Sequence, residues 1–198
     1  MKRISATAVA LLLVGCLSAV FAPAASGQAG GWTNLMNMSH WTPVGKVDWK
    51  VIGREFWSTN GQGFLLSKQS YGDFEIRAEF WVSPDANSGI FIRCQDPGKV
   101  GAQTCYEVNI FDTRPDPAYR TGAIVDVAKP RNMAINTGNK WNTYEITAKG
   151  PRMIIRLNGD VTVDVEDRKF ARGPFALQAG VGVVRFRNVQ IRELKGTT

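Results

Sequence analysis

The sequence predicts an all-β fold, an antiparallel jelly-roll sandwich of two sheets. Apolar and polar residues alternate over many short runs, which is the period of a strand with one buried face. Gly, Pro, Asn and Ser separate these runs, as they do where tight turns join strands. Helical periodicity is nearly absent, and about ten or more short strands without helices are typical of a jelly roll.

Residues 1–25 have the three regions of a secretory signal peptide. Lys2 and Arg3 come first, an apolar run covers residues 4–21, and small residues around Ala25 match a cleavage site. Because the apolar run is interrupted and ends in cleavage-type residues, we predict export rather than a membrane span.

A second processing route is open at residues 13–16. This Leu-Val-Gly-Cys segment resembles a bacterial lipobox, in which Cys16 would become a lipid-anchored N-terminus. We expect a periplasmic, secreted or lipid-anchored protein of the bacterial envelope, with no transmembrane span after processing. Residues 30–196 then form a single domain, which is long enough for a full core.

Short strands separated by turns fill the first part of this domain. The segment 30–57 carries four tryptophans among turn-forming residues: Trp32, Trp41, Trp49 and Trp57. Residues 61–68 form another short strand. Residues 74–82 then alternate strictly, with apolar side chains on one phase and charged side chains, together with Trp81, on the other.

The next two strands place polar side chains in the middle of apolar runs. Residues 89–93 alternate and end in Arg93, and residues 106–111 put Glu107 and Asn109 on the face opposite their apolar neighbours. A sheet that carries such side chains at central positions is expected to bind something polar there.

Cys94 and Cys105 are the cysteines that remain once Cys16 is assigned to the leader. Two cysteines that flank one loop of an exported domain predict a disulfide. A register that pairs Arg93 opposite Glu107 conflicts with this bond, because alternation would send the two cysteines to opposite faces. Either the loop ends depart from strand geometry or the register differs.

The last part of the chain begins with a long connection and continues as strands. Residues 111–142 are too many for a plain turn, so we expect a loop that covers a face or lines a site. Asn158-Gly159 between two alternating runs predicts a hairpin. In the final run, 184–194, the apolar phase shifts, which predicts a β-bulge near residues 187–188.

Composition excludes several classes of function. The net charge is +7, but Lys and Arg are scattered among acids, without the basic stripe of a nucleic-acid-binding protein. His40 is the only histidine, so a Ser-His-Asp triad or a multi-histidine metal site would have to use it. The sequence requires no cofactor; any divalent metal would have oxygen ligands and would be calcium-like.

Eight segments, in order along the domain, resemble a family of exported all-β domains named for 3-keto-disaccharide hydrolase activity, or 3-keto-glucoside lyase/hydratase activity. The segments are GGWTNL (30–35), YGDFEIRAEF (71–80), NSGIFIR (87–93), YEVNIFD (106–112), TGAIVDVAKP (121–130), WNTYEI (141–146), LNG (157–159) and FRNVQIREL (186–194). The resemblance implies a concanavalin-like jelly roll and a sugar substrate.

The chemistry implied by the resemblance needs a positioned base and a donor to an enolate oxygen. The carbonyl of a 3-keto glycoside acidifies the C2 hydrogen, so a base can remove it and the enolate can expel the C1 substituent. Glu107 is the candidate base, and Arg93 is the candidate donor to the enolate or the substrate. The candidate sugar contacts are Asn109, Asp112, Asn142, Gln178 and Trp81.

Structural roles compete with these assignments. Arg93 and Glu107 could form an ion pair across adjacent strands, which would lower the pKa of the carboxyl group and weaken it as a base. Asp112 could cap the following turn or ligate a metal, and Trp81 could cover a sheet edge.

The chain departs from the family pattern at three places. Val125 stands where a Tyr often follows Gly-Ala-Ile, and residues 179–184 lack a His that relatives often carry. Asn109 replaces a common Gln. Two rival functions stay open. One is a non-catalytic carbohydrate-binding module. The other is a retaining glucanase, because Glu107, Asn109 and Asp112 have a spacing similar to the E-x-D-x-x-E strand of concanavalin-like glucanases; its two carboxyl groups would lie about 5 Å apart.

Overall fold

The computed structural model describes residues 31–59 and 61–195, and the predicted leader and lipobox lie outside them. Over these ranges the strands are β1 (Thr33–Asn34), β2 (Trp41–Val47), β3 (Lys50–Ile52), β4 (Glu55–Ser58), β5 (Gly61–Ser67), β6 (Phe74–Val82), β7 (Ser88–Ile92), β8 (Tyr106–Ile110), β9 (Trp141–Lys149), β10 (Arg152–Leu157), β11 (Asp160–Glu166), β12 (Ala176–Ala179) and β13 (Val184–Glu193). Two 3-10 turns, Met38–His40 and Pro117–Tyr119, complete the regular structure of the described chain. None of its helices is long and apolar enough to cross a bilayer.

The strands form two antiparallel sheets, as predicted. Sheet A has eight strands in the order β11-β10-β9-β6-β13-β4-β3, with β1 also paired to β13. Sheet B has five strands in the order β2-β5-β12-β7-β8. The predicted two-sheet jelly roll is therefore confirmed, and each sheet has one face turned to the core and one outer face.

The core lies between the two sheets and follows the predicted alternation. The inward phase of β6, from Phe74 to Val82, is fully buried in the main apolar cluster. Ile90, Ile92 and Val108 reach the same cluster from sheet B. Burial of such side chains contributes about 1.5–3 kcal/mol each, so strand phase is fixed strongly here.

Two local turn predictions are also confirmed. Asn158 and Gly159 both have positive φ, 53° and 91°, as a two-residue hairpin turn requires. In β13 the pairing with β6 shifts register between Arg187 and Gln190, and Asn188 has a φ of 51°. This is the predicted bulge.

The disulfide between Cys94 and Cys105 is present, and the register explains how it forms. Phe91, not Arg93, lies opposite Glu107 in the pairing of β7 with β8. Arg93 follows the last residue of β7 and has a φ of 53°, so strict alternation ends before Cys94. The end of the loop therefore departs from strand geometry, and the register also differs from one that would pair Arg93 with Glu107.

Candidate functional site

Glu107 and Asn109 project from the outer face of sheet B, away from the core. Their neighbours Tyr106, Val108 and Ile110 all belong to the main apolar cluster, so alternation turns the two polar side chains outward. The sequence prediction that Glu107 and Asn109 share a face is therefore confirmed. The segment after β8 pairs with this strand and shields it, because Val125 donates its backbone N–H to the carbonyl of Glu107 at 3.0 Å.

Glu107 is a buried carboxyl group without an ionic partner. The residue is 8% exposed, and no ion pair within the described ranges includes it. Burial raises its pKa from 4.5 to about 7; Arg114 opposes the shift and Asp126 adds to it. A carboxyl group with this pKa can both accept and return a proton near neutral pH.

Arg93 occupies a different place, and the prediction that it accompanies Glu107 is wrong. Its guanidinium donates to the carbonyl of Gly72 at 2.9 Å, of Gly150 at 2.8 Å and of Phe170 at 3.2 Å. It also contacts the carboxylate of Asp73 at 3.3 Å. Because these partners flank sheet A, Arg93 ties one end of sheet B to sheet A. The proposed ion pair with Glu107 does not form.

Two polar side chains on the outer face of sheet B have buried oxygen atoms without hydrogen-bond partners. Asn109 donates its amide to the carbonyl of Tyr119, but its Oδ1 has no donor. Gln178, on β12, turns outward from the core, and its buried Oε1 also has no donor. Gly89 lies beside Asn109 in the sheet, and a methyl group at Gly89 would lie 3.5 Å from Gln178 Oε1.

These two oxygens are candidate contact points. A buried acceptor without a donor costs about 1–3 kcal/mol, so native proteins leave few of them unpaired. A sugar hydroxyl group could supply the missing donor at Gln178, which is partly exposed, whereas Asn109 is 0% exposed beneath the segment after β8. Asn109 and Gln178 are thus the two predicted sugar contacts that the structure places on the same face as Glu107.

Asp112 holds the long connection after β8. Its carboxylate accepts hydrogen bonds from the Thr121 hydroxyl at 2.5 Å and from the Thr137 hydroxyl at 2.9 Å. The backbone N–H groups of Thr137 and Gly138 donate to the same carboxylate, at 2.5 Å and 3.2 Å. These bonds give Asp112 a structural role in the loop. Its carboxylate is therefore engaged, and the glucanase alternative loses the second carboxylate that it requires.

Asn142 and Trp81 also lie apart from Glu107. Asn142 is 2% exposed, and its amide donates to the carbonyl of Thr137 at 2.9 Å and of Lys140 at 2.8 Å. Trp81 lies on the outer face of sheet A, with its ring 5.4 Å from the guanidinium carbon of Arg185. The sequence grouped both with the site because strand phase does not say which sheet a strand joins.

A cleft of about 360 Å³ adjoins this site on sheet B. Strands β2, β5 and β12 form its floor, and the disulfide-closed loop 94–105 forms one wall, with lining residues that include Gln62, Phe64, Asn87, Lys99, Gln178 and Val181. Glu107 does not line it, but Gln178 belongs to both. Sequence reasoning missed Lys99 and Phe64; the available signals were the disulfide loop and the alternation of β5.

Metal ligation has no support among the described residues, where no three His, Cys, Asp or Glu side chains are grouped to hold an ion. His40, in the 3-10 turn Met38–His40, lies on the segment before β2. The calcium-like metal that the sequence allows remains a prediction.

Solved structures of similar architecture include enzymes and a binding module. A candidate glycosyl hydrolase of Parabacteroides distasonis has a TM-score of 0.75 and 18% identity, covering 83% of this chain and 94% of its own. The carbohydrate-binding module CBM66 of Bacillus subtilis has a TM-score of 0.63 and 22% identity, with 79% and 98% covered. The β-glucanase of Bacillus licheniformis has a TM-score of 0.56 and 12% identity, with 85% and 100% covered. These likenesses establish the fold.

The sequence itself decides the family. No curated protein matches the chain significantly. The model of the 3-keto-alpha-glucoside-1,2-lyase-like domain, however, matches residues 31–192, which is most of the chain and all thirteen strands except the last residue of β13. This chain belongs to the family of 3-keto-alpha-glucoside-1,2-lyase-like domains.

Proposed function

We propose that this chain is an exported enzyme that cleaves 3-keto glycosides by removing the proton at C2. The observation that carries the proposal is Glu107, a carboxyl group on the outer face of sheet B whose pKa is raised to about 7. Family membership supplies the substrate class, and the leader-like residues 1–25 support export.

The reaction requires two proton transfers, and one residue with this pKa can serve both. The ionised Glu107 takes the C2 proton, and the electron pair of the broken C–H bond forms the enolate with the 3-keto group. The enolate then expels the C1 oxygen, which takes the proton back from neutral Glu107 and leaves as an alcohol. The other product is a 3-keto-2-hydroxy-glucal, to which water can add.

Gln178 supports the proposal as a positioning group. Its unpartnered oxygen can accept a hydrogen bond from a sugar hydroxyl group, while the buried Asn109 holds the covering segment through the carbonyl of Tyr119. Arg93 is not available for the enolate oxygen, because carbonyl groups and Asp73 occupy its donors.

A non-catalytic sugar-binding module is the second candidate function. It is favoured by the lining of the cleft, which contains amide, apolar and ammonium groups but no carboxyl group among the described residues. The departures at Val125 and residues 179–184 point the same way, because a catalytic partner of relatives would be missing there.

The test is loss of C2 deuterium together with release of the aglycone from a deuterated 3-keto glucoside. We expect both in the wild type, and a decrease of about 10²–10⁴-fold in Glu107→Gln. Glu79→Gln, the same change on the outer face of sheet A, serves as the control and should keep full activity. Binding without exchange in the wild type would establish the binding module instead, and exchange that survives Glu107→Gln would assign the base elsewhere.

A further inference from the structure

We propose that the cleft beside the site binds an anionic sugar residue, with Lys99 as the residue that selects it. The shared chemistry of such ligands is a negatively charged substituent on a pyranose ring, either a carboxylate or a sulfate ester. The inference rests on the proposed function as a carbohydrate-active domain and names the class of ligand.

The charge of the cleft points to an anion. Thirteen of the described residues line it, and Lys99 is the only charged one. The ammonium group belongs to an exposed residue, so it attracts an anion at this part of the cleft with a strength that falls as salt rises.

Lys99 has no ionic partner within the described chain. No ion pair includes its ammonium group. Asp96, three residues earlier, directs its carboxylate to the backbone N–H of Gly98 at 2.9 Å. The ammonium group of Lys99 is therefore available to a ligand.

The backbone of Lys99 is held in place by the loop around it. The Cys94–Cys105 disulfide closes the loop, and the Thr104 hydroxyl donates to the carbonyl of Lys99. The neighbouring Val100 packs against the small apolar cluster on the outer face of sheet B. Ligand binding therefore does not have to order the backbone of this loop as well.

The floor and rim of the cleft suit the rest of a sugar ring. Gln178 offers its unpartnered oxygen to a hydroxyl group, and Asn87 and Gln62 add further amides. Phe64 and the 52% exposed Val181 provide apolar surface for the ring carbons. An anionic substituent on the ring would then meet Lys99 across the cleft.

The test is equilibrium binding of matched sugars to the full protein by calorimetry. Methyl glucuronide is compared with methyl glucoside, and glucose 6-sulfate with glucose. We expect at least one anionic sugar to bind about tenfold more tightly than its neutral partner in the wild type. Lys99→Met should reduce that ratio to about one, whereas Lys99→Arg should retain most of it.

Lys149→Met is the matched control, because it removes the same charge from an exposed position at the end of β9 in sheet A. The preference should be unchanged in this variant. The readout is binding rather than C2 proton exchange, so failure of the proposed catalysis would leave this result intact. Equal binding of both matched pairs by the wild type, or a preference that survives Lys99→Met, would overturn the proposal. The sugar that shows the preference identifies carboxylate or sulfate as the anion.

Discussion

The outer faces of both sheets carry charged and amide side chains, but the two faces differ in how far these side chains pair with one another. On sheet A, Arg185 pairs with Glu55 at 2.7 Å and Arg187 pairs with Glu79 at 2.7 Å. The same face pairs Arg77 with Glu145 and Arg192 with Glu75. On the side of sheet B, by contrast, no ion pair among the described residues includes Glu107 or Lys99 of the disulfide loop, and Asn109 and Gln178 have buried oxygens without donors.

Tryptophans reinforce the pairing on sheet A. The guanidinium carbon of Arg185 lies 4.1 Å from the ring centre of Trp57, and that of Arg187 lies 3.9 Å from the ring centre of Trp141. Such stacking adds about 0.5–1 kcal/mol at exposed sites and leaves less ring surface for a sugar. The comparison teaches that polar side chains on sheet A stabilise the fold by pairing with one another, whereas unpaired ones on sheet B mark the face to which we assign the candidate site.

The largest expected effect separates two arginines with different surroundings. Arg93→Met should lower the free energy of unfolding by about 3–5 kcal/mol, because it leaves three carbonyl groups without this donor and removes the ion pair with Asp73. Arg187→Met, on the outer face of sheet A, should cost no more than about 1 kcal/mol. Urea unfolding with the disulfide intact measures both. Equal decreases in the free energy of unfolding would contradict the distinction between the buried contacts of Arg93 and the exposed ion pair of Arg187.

The pH dependence of Glu107 sharpens the contrast within sheet B. Its pKa in the folded protein is about 7, above the ordinary 4.5, so the folded state binds the extra proton between these values. The contribution of Glu107 to stability is therefore fully present below about 4.5 and is lost as the pH rises through about 7. The rate of C2 proton removal should change in the opposite direction, because the ionised form is the base.

Two titrations check this prediction. The melting temperature of the wild type, relative to that of Glu107→Gln, should decrease as the pH rises from 5 to 8, because the raised pKa of Glu107 favours the folded state only while the carboxyl group is protonated. The rate for the wild type should rise over the same range. A rate that is flat or that falls through pH 7 would contradict the assignment of Glu107 as the base.

The smallest effect concerns the unpartnered oxygen of Gln178. Gln178→Leu should weaken sugar binding about tenfold, since the ligand loses its acceptor. The free energy of unfolding should stay the same or rise, because an unsatisfied buried group is removed. Gln190→Leu, on the outer face of sheet A, is the control and should leave binding unchanged. A loss of stability without a loss of binding would make Gln178 a structural residue.

Much of the fold could be predicted because strand phase and turn chemistry are local properties. The inward phase of β6, the turn at Asn158-Gly159 and the bulge near Arg187 all follow from neighbouring residues. The disulfide followed from the position of Cys94 and Cys105 on either side of one loop.

The site could be predicted only in part, because it depends on contacts between distant segments. The outward phase of Glu107 and Asn109 is local and was correct. The place of Arg93 depends on one left-handed residue at a strand end, and its partners come from Gly72, Gly150 and Phe170. Periodicity predicts neither the left-handed conformation of Arg93 nor its partners, so the sequence analysis places Arg93 beside Glu107 incorrectly.

The most direct test of the difference between the two faces is an NMR titration of Glu107→Gln with a 3-keto glucoside, which this variant should bind without consuming. The account predicts shifts in the side-chain amide signals of Asn109 and Gln178, with little change in the indole N–H signals of Trp57, Trp81 and Trp141. Shifts confined to the indole signals would place the sugar on sheet A and contradict the account.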